Sequence, residues 1–239
     1  MSGRDRLPDK SSDKSVAEFL ERAKAVPAPA TRGEPQGRLL FAMDATASRE
    51  PAWDKAARIQ GEMFQAAEAV GGLGVQLVFY RGFAEFKASR WTGDAAEMTR
   101  LMSSVFCLAG ETQIRKVLRH AVNETQAARV NALVFVGDAC EEDIDRIGQA
   151  AGELGLLGVP AFMFHEGEDA AAAFAFREIA KLTRGAYVRF DAGSAGALRD
   201  LLAAVAVFAA GGGAALSRLA RAKGGEALAI ARQMSGAKD

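Results

Sequence analysis

Hydrophobic and polar positions follow two alternating patterns from about residue 38 onward. Short apolar runs are separated by stretches in which apolar residues recur every three or four positions. The first pattern is typical of buried strands and the second of amphipathic helices. Their alternation predicts βαβ units and a mostly parallel sheet. The apolar runs predict six strands, at 38–43, 75–80, 83–89, 132–136, 159–164 and 186–190.

The amphipathic stretches predict helices that cover both faces of this sheet. Asp94 and Glu97 resemble a capping box at the start of one of them. Only the short turn at Arg81 and Gly82 separates the second and third strands, so this pair is predicted to be antiparallel, with the third strand at the sheet edge. The predicted fold class is α/β, a doubly wound, mostly parallel six-stranded sheet with one antiparallel edge strand. The helices are predicted at 54–70, 94–106, 113–128, from 141, 171–183 and 194–209.

The chain ends differ in composition from this domain, which we place at 38–210. Residues 1–37 are polar and contain one short amphipathic helix at 15–26, followed by a Pro- and Gly-containing linker. Residues 211–239 have helical propensity broken by glycines, and we expect a loosely attached tail. The polar N-terminus has no apolar signal region, so a cytoplasmic location is expected. The uncharged stretch 201–216 is shorter than the roughly 20 residues that a bilayer requires, which predicts a packed helix and no membrane span.

The amino-acid composition limits the classes of binding partner that we expect. Lys and Arg together number 30, equal to Asp and Glu, and this balance argues against nucleic acid or acidic lipid as the main partner. The two cysteines, Cys107 and Cys140, have neither metal-ligand spacing nor a C-x-x-C pattern. They are therefore predicted to be small buried hydrophobic residues.

Oxygen-bearing side chains follow two predicted strands and precede one predicted helix. Asp44, Thr46 and Ser48 come after the first strand, Thr112 precedes the helix at 113–128, and Asp138 follows the strand at 132–136. Ligands of parallel-sheet proteins bind beyond the carboxyl ends of the strands. Two carboxylates and three hydroxyls, without Cys or His, form the kind of donor set that Mg²⁺ prefers. These residues are the candidate metal site.

These segments resemble a known family. DATAS (44–48), GETQI (110–114) and VGDA (136–139) are similar to the three segments of the metal-ion-dependent adhesion site of von Willebrand factor A domains, and the resemblance spans about 38–209. It implies the strand order 3-2-1-4-5-6. It also implies hydroxyl ligands at Thr46, Ser48 and Thr112 and carboxylates at Asp44 and Asp138, holding Mg²⁺, or else Mn²⁺ or Ca²⁺. More narrowly, the chain resembles bacterial cytoplasmic proteins of this superfamily.

The chain departs from the family pattern at two positions. Thr46 stands where the family has Ser, and Ala139 follows Asp138 where the family often has Gly. A threonine retains the hydroxyl, so the implied coordination survives the first change. The second puts the local turn in doubt more than the ligand.

The leading functional hypothesis is a non-catalytic, metal-dependent module that binds an acidic residue of a partner protein. One alternative is a haloacid dehalogenase-like Mg²⁺ phosphohydrolase with Asp44 as nucleophile. That chemistry requires an acid two residues later to protonate the leaving group, and Thr46 stands there. A third possibility is a scaffold with a vestigial metal site, whose terminal segments bind the partner.

Other polar and aromatic residues receive no functional role from the sequence. Five residues are expected on the same rim as the site, where we interpret all but Glu111 as solvated caps and loop charges. His120 is interpreted as a packing residue of its helix. Trp91 and Phe83 are interpreted as core aromatics and not as an exposed patch. The rim residues are Glu111, Glu141, Glu142, His165 and Glu166.

Overall fold

The sheet forms because the apolar runs pair side by side along the chain. The structure, a computed structural model, describes residues 37–49, 72–190 and 195–236. All strand pairs are parallel except β2 with β3, and the order is β3-β2-β1-β4-β5-β6. This confirms the predicted topology and the antiparallel edge strand. The strands are β1 (Gly37–Asp44), β2 (Leu73–Arg81), β3 (Glu85–Ala88), β4 (Ala132–Gly137), β5 (Ala161–Glu166) and β6 (Ala186–Phe190).

Helices cover both faces of the sheet, as predicted. Asp94 caps the first described helix by accepting hydrogen bonds from the backbone N–H groups of Ala96 and Glu97. The predicted helices at 15–26 and 54–70 lie outside the described residues. The described helices are α1 (Ala95–Ser103), α2 (Ile114–Ala127), α3 (Ile144–Leu156), α4 (Ala170–Thr183), α5 (Ala195–Lys223) and α6 (Gly225–Gly236), and a short 3₁₀ helix spans Ala47–Arg49.

The alternation of side chains along β1 shows how the two cores form. Leu39, Phe41 and Met43 point to the face covered by α1, α5 and α6. Leu40 and Ala42 point to the opposite face, covered by α2, α3 and α4. All five side chains are fully buried. A central strand buried on both faces is expected of a doubly wound sheet, and it fixes the end of β1 rigidly in the middle of the domain.

The C-terminal segment packs into the domain, so the expectation of a loosely attached tail is wrong. Leu216 and Ile230 are buried in the same core cluster as β1. The predicted glycine breaks are present, since Gly212 has a φ of 69° inside α5 and Gly224 separates α5 from α6. These breaks let the chain fold back so that its apolar residues complete the core. In addition, the Gln233 amide bonds the backbone N and O of Tyr187, covering the open edge of β6.

Helix α5 is also long and apolar enough to cross a membrane by length and composition, over residues 196–223. Leu201, Leu202 and Val205 of this helix lie fully buried in the domain core. A buried core helix passes the same test of composition. One side of α5 therefore packs into the core, and 44% of its most apolar window is buried.

Candidate functional site

The candidate site begins at the carboxyl end of β1. Asp44 is the last residue of this strand and is fully buried. Its Oδ1 accepts a hydrogen bond of 2.7 Å from the backbone N of Thr46. The chain then turns into the 3₁₀ helix Ala47–Arg49. This turn brings the Thr46 Oγ1 within 3.2 Å of the Ser48 Oγ, so the three predicted donors of the first segment lie together.

Asp138 and Thr112 lie at the same edge of the sheet as Asp44, next to the end of the neighbouring strand β4. Because β4 pairs with β1, Asp138 follows the strand adjacent to the one that ends at Asp44. Thr112 and Glu141 are joined by two hydrogen bonds: the Thr112 N donates to the Glu141 carboxylate, and the Glu141 N donates to the Thr112 Oγ1, each at 3.1 Å. The loop after β4 therefore holds the segment that precedes α2.

Glu142 strengthens this connection between the two loops. Its carboxylate accepts hydrogen bonds from the backbone N–H groups of Ile114 and Arg115, the first two residues of α2. Burial raises the pKa of Glu142, although these two hydrogen bonds act in the opposite direction. Glu141 is exposed, as predicted for a solvated charge, and it also contacts Thr112. Glu142 is only partly exposed and binds the start of α2, so the prediction of a solvated cap of α3 is wrong for it. Asp143 caps α3. The two residues before it, Glu141 and Glu142, form hydrogen bonds with the segment at and just before the start of α2.

Tyr80 is a site residue that the sequence reasoning missed. It is fully buried and is the register partner of Asp44 on β2. Burial raises the pKa of the Tyr80 phenol well above its usual range, and the nearby carboxylate of Asp44 acts in the same direction. Glu142 and Asp138 add smaller effects of the same sign. The raised pKa keeps the phenol protonated at neutral pH, and its position near the strand end opposite Asp44 is the signal that could have found it.

His165 and Glu166 lie at the end of β5 but are not on a solvated rim. Both are buried, with relative exposures of 0% and 7%, so the prediction of loop charges is wrong for them. The His165 Nδ1 lies 2.9 Å from the Tyr187 hydroxyl. Burial lowers the pKa of His165, against the opposing effect of the Asp138 backbone carbonyl. The imidazole therefore serves as a neutral packing and hydrogen-bonding group beneath the site. Glu111, by contrast, is exposed beside Thr112.

Comparison with known proteins identifies the fold that carries this site. No protein-family model matches the chain, and no curated protein matches it in sequence. Among solved structures, the SpRpn10 VWA domain superposes with a TM-score of 0.54 at 12% identity, over 65% of this chain and 88% of that domain. An aerotolerance-related membrane protein from Bacteroides fragilis gives 0.55 at 17% identity, over 70% of this chain and 96% of that one. The chain has a von Willebrand factor A fold.

One further structure with this fold contains a metal. Proximal thread matrix protein 1 from the mussel byssus, with a zinc-occupied MIDAS motif, superposes with a TM-score of 0.54 at 12% identity. The similarity covers 71% of this chain and 45% of the byssus protein. Structures with this fold therefore include one with an occupied metal site.

The donor set of this von Willebrand factor A fold suits a hard divalent cation. In the part of the chain that the structure describes, no three His, Cys, Asp or Glu side chains group as metal ligands, so a cation at this edge would depend on the hydroxyl oxygens. The Oδ1 of Asp138 is buried and has no hydrogen-bond partner among the described residues. A buried carboxylate oxygen without a partner is costly unless a positive charge compensates it. A cation held by Asp138 together with Asp44, Thr46, Ser48 and Thr112 would supply that charge.

An apolar surface lies beside this donor set. We call it the apolar rim, and it consists of Phe83, Phe106 and Leu108, with relative exposures of 80%, 60% and 40%. The Leu108 N donates to the backbone O of Ala45, next to Asp44, and the Leu108 O accepts from the Gly82 N. The prediction that Phe83 belongs to the core is therefore wrong. The turn between β2 and β3 instead presents it to solvent.

Two further contacts fix the apolar rim in place. The Arg81 guanidinium lies 4.0 Å from the Phe106 ring centroid and donates to the Phe106 backbone O at 2.8 Å. The same guanidinium forms two hydrogen bonds with Glu85, at 2.8 and 3.0 Å. Gly110 is required nearby, because a Cβ there would collide with the backbone of Gly82. The turn after β2 and the loop before α2, which carry the apolar rim, are therefore held against each other.

Proposed function

We propose that this protein is a metal-dependent protein-binding module. A divalent cation held by Asp44, Thr46, Ser48, Thr112 and Asp138, with Mg²⁺ favoured, engages an acidic residue of a partner protein. When bound, the cation supplies an open coordination position for a carboxylate oxygen. The protein's own residues hold the donors in place and keep the Asp44 side of the site dry. The von Willebrand factor A fold supports this proposal, since structures similar to this chain include a pilus adhesin and the vWF domain of a pilus tip protein.

The observation that carries the proposal is the hydrogen bond from Leu108 to Ala45. It places an exposed apolar surface directly against the strand end that bears Asp44. Exposed apolar patches that border a polar site are typical of protein-interaction surfaces. A partner that approaches the cation would therefore also bury Phe106 and Leu108.

The phosphohydrolase alternative receives less support from the geometry. The position two residues after Asp44 is Thr46, whose hydroxyl lies against Ser48 and offers no carboxylic acid as a proton donor. We therefore propose that binding, and not hydrolysis, is the activity of this site.

The first experiment measures the metal alone, with the full-length chain. Titration with MnCl₂, followed by the electron paramagnetic resonance signal of free Mn²⁺, is expected to show one site that MgCl₂ displaces. Asp138→Asn and Thr112→Val are expected to weaken Mn²⁺ binding about tenfold or more. Asp145→Asn, an exposed residue on α3, is the charge-matched control and should bind as the parent does.

The second experiment separates metal-dependent binding from a vestigial site. Proteins captured on the immobilised chain are compared in MgCl₂ and in EDTA, with the parent chain and with Asp138→Asn. Loss of the same protein in EDTA and in the variant is expected. Equal capture in all three conditions, or Mn²⁺ binding unaffected by Asp138→Asn and Thr112→Val, would overturn the proposal. Removal of residues 1–37 should leave metal-dependent capture intact.

A further inference from the structure

A basic groove runs along the solvent side of α2 next to the edge strand β3. Its volume is about 670 Å³. Phe86 of β3 forms an apolar wall, and its ring contacts the His120 ring edge-on at a centroid distance of 5.5 Å. Nothing in the described part of the chain fills this space. We call it the basic groove, and it is lined by Phe86, Arg115, Lys116, Arg119, His120 and Asn123.

The charge of the basic groove comes from Arg115, Lys116 and Arg119, and none of its lining residues is acidic. Three carboxylates lie close by, and all three are engaged. Glu124, beside His120, accepts hydrogen bonds from Arg38 and Trp91. Glu142 accepts the backbone N–H groups at the start of α2. Glu153 forms an ion pair with Arg119 at 3.2 Å, with both side chains partly exposed, and such pairs contribute little and exchange easily. The groove is therefore a cationic surface open to an incoming anion.

His120 adds shape to the groove and no charge near neutral pH. Its Nε2 lies 2.8 Å from the Gln76 Oε1. Burial lowers the pKa of His120, although Glu124 acts in the opposite direction. The three cations thus account for the electrostatic character of the groove.

The groove is also close to the candidate metal site along the chain. Helix α2 begins at Ile114, two residues after the candidate ligand Thr112. At about 1.5 Å per residue, the helix carries the groove from Arg115 to Asn123 over about 12 Å. An extended peptide advances about 3.3 Å per residue, so about four peptide residues fit along this length.

We propose that the basic groove binds an acidic peptide segment of the partner protein, four or so residues long, with an apolar side chain placed against Phe86. This inference rests on the proposed function and deepens it, because one partner would present a carboxylate to the cation and further carboxylates to α2. Complementary charge of this kind steers association and selects the partner.

The test uses a fluorescein-labelled synthetic peptide of seven Asp and Glu residues with one central Phe, and the full-length chain. Binding is followed by fluorescence anisotropy at low and at physiological salt. Arg115→Ala with Arg119→Ala is expected to weaken binding about tenfold at low salt, and salt should weaken binding by the parent chain. Arg218→Ala with Arg221→Ala, exposed on α5, removes the same charge elsewhere and should bind as the parent does.

Three outcomes would overturn the inference. Equal loss of affinity in the groove variant and in the α5 control would show that only net charge matters. Equal affinity of the parent and the groove variant would show that the peptide binds elsewhere. Tighter binding of a single-stranded oligonucleotide of the same charge would assign the groove to a phosphate backbone.

A separate comparison distinguishes the groove from the metal site. The peptide is titrated in EDTA and against Asp138→Asn. If the proposed metal-dependent function fails but the groove is real, these conditions leave the effect of Arg115→Ala with Arg119→Ala unchanged. If both are real, EDTA weakens binding by the parent chain and the groove substitutions weaken it further.

Discussion

The contact between Glu142 and the start of α2 can be tested by removal of its carboxylate. Glu142→Ala takes away the acceptor for the backbone N–H groups of Ile114 and Arg115. The first bond is partly buried and the second is exposed, so water can replace the acceptor only at Arg115. A buried donor left without a partner costs about 1–3 kcal/mol, and loss of the negative charge at a helix N-terminus adds about 0.3–1 kcal/mol. The free energy of unfolding should therefore fall by about 2 kcal/mol.

Glu142→Gln should be milder than Glu142→Ala. The amide keeps a carbonyl oxygen that can accept one of the two N–H groups. Burial raises the pKa of Glu142, which means that the ionised carboxylate is penalised by desolvation, and a neutral amide avoids that penalty. We expect a loss of less than about 1 kcal/mol. Asp145→Asn, exposed in the first turn of α3, should stay within about 0.5 kcal/mol of the parent.

The measurement is equilibrium unfolding of the full chain in urea, followed by far-ultraviolet circular dichroism and by tryptophan fluorescence. Coincident transitions and unchanged slopes allow the free energies to be compared directly. If Glu142→Ala and Glu142→Gln both remained within about 0.5 kcal/mol of the parent, Glu142 would not hold α2 in solution. Equal and large losses in both variants would instead attribute the effect to the charge and not to the hydrogen bonds.

Two further predictions concern His120 and the C-terminal helix. Because burial lowers the pKa of His120, the stability that its neutral ring contributes is complete above the unfolded pKa of about 6.5 and is lost as pH falls through the folded pKa. His120→Gln should flatten this acid-side decline in urea unfolding, and an unchanged slope would contradict the assignment. Ile230→Ala should lower the free energy of unfolding by about 2–5 kcal/mol, since the side chain is fully buried. Its control, the exposed Arg232→Ala, should change that energy by less than about 0.5 kcal/mol, and a loss as small as this for Ile230→Ala would show that α6 is only loosely docked.

Local pattern predicted the sheet well because each strand signal is short-range. The runs at 75–80 and 132–136 are continuous and apolar, and they lie within β2 (Leu73–Arg81) and β4 (Ala132–Gly137). The edge strand was predicted two residues too long at its start, because Phe83 and the residue after it belong to the turn and not to β3. An aromatic residue in a turn has the same local signature as one in a strand, and only its neighbours in space distinguish them.

For the C-terminal segment, the local pattern predicted the helix break but not how the segment packs. Gly224 was interpreted correctly as a helix break. The inference from a break to loose attachment failed, because docking depends on the apolar faces on either side of it. Leu216 before the break and Ile230 after it are both buried. Glycine is a conformational signal, and burial of a whole helix face is a tertiary one.

The candidate ligands could be selected from sequence because their strand-end positions and oxygen chemistry are local properties. The groups that position them could not. Glu141 and Glu142 act on Thr112 and Ile114 across nearly thirty residues of chain, and nothing local distinguishes them from ordinary helix caps. Tyr80 required the register between β1 and β2 before its proximity to Asp44 was visible.

The charged and polar groups around the candidate ligands also bear on whether the site holds a cation. The carboxylates of Asp44, Asp138 and Glu142 all raise the pKa of the buried Tyr80 phenol, so their negative charge is felt at this strand end. Glu142 is partly satisfied by the backbone of α2, whereas the buried oxygen of Asp138 has no hydrogen-bond partner in the described part of the chain. A buried carboxylate oxygen without a partner is costly, and under the proposed function a divalent cation at the hydroxyl oxygens would compensate it.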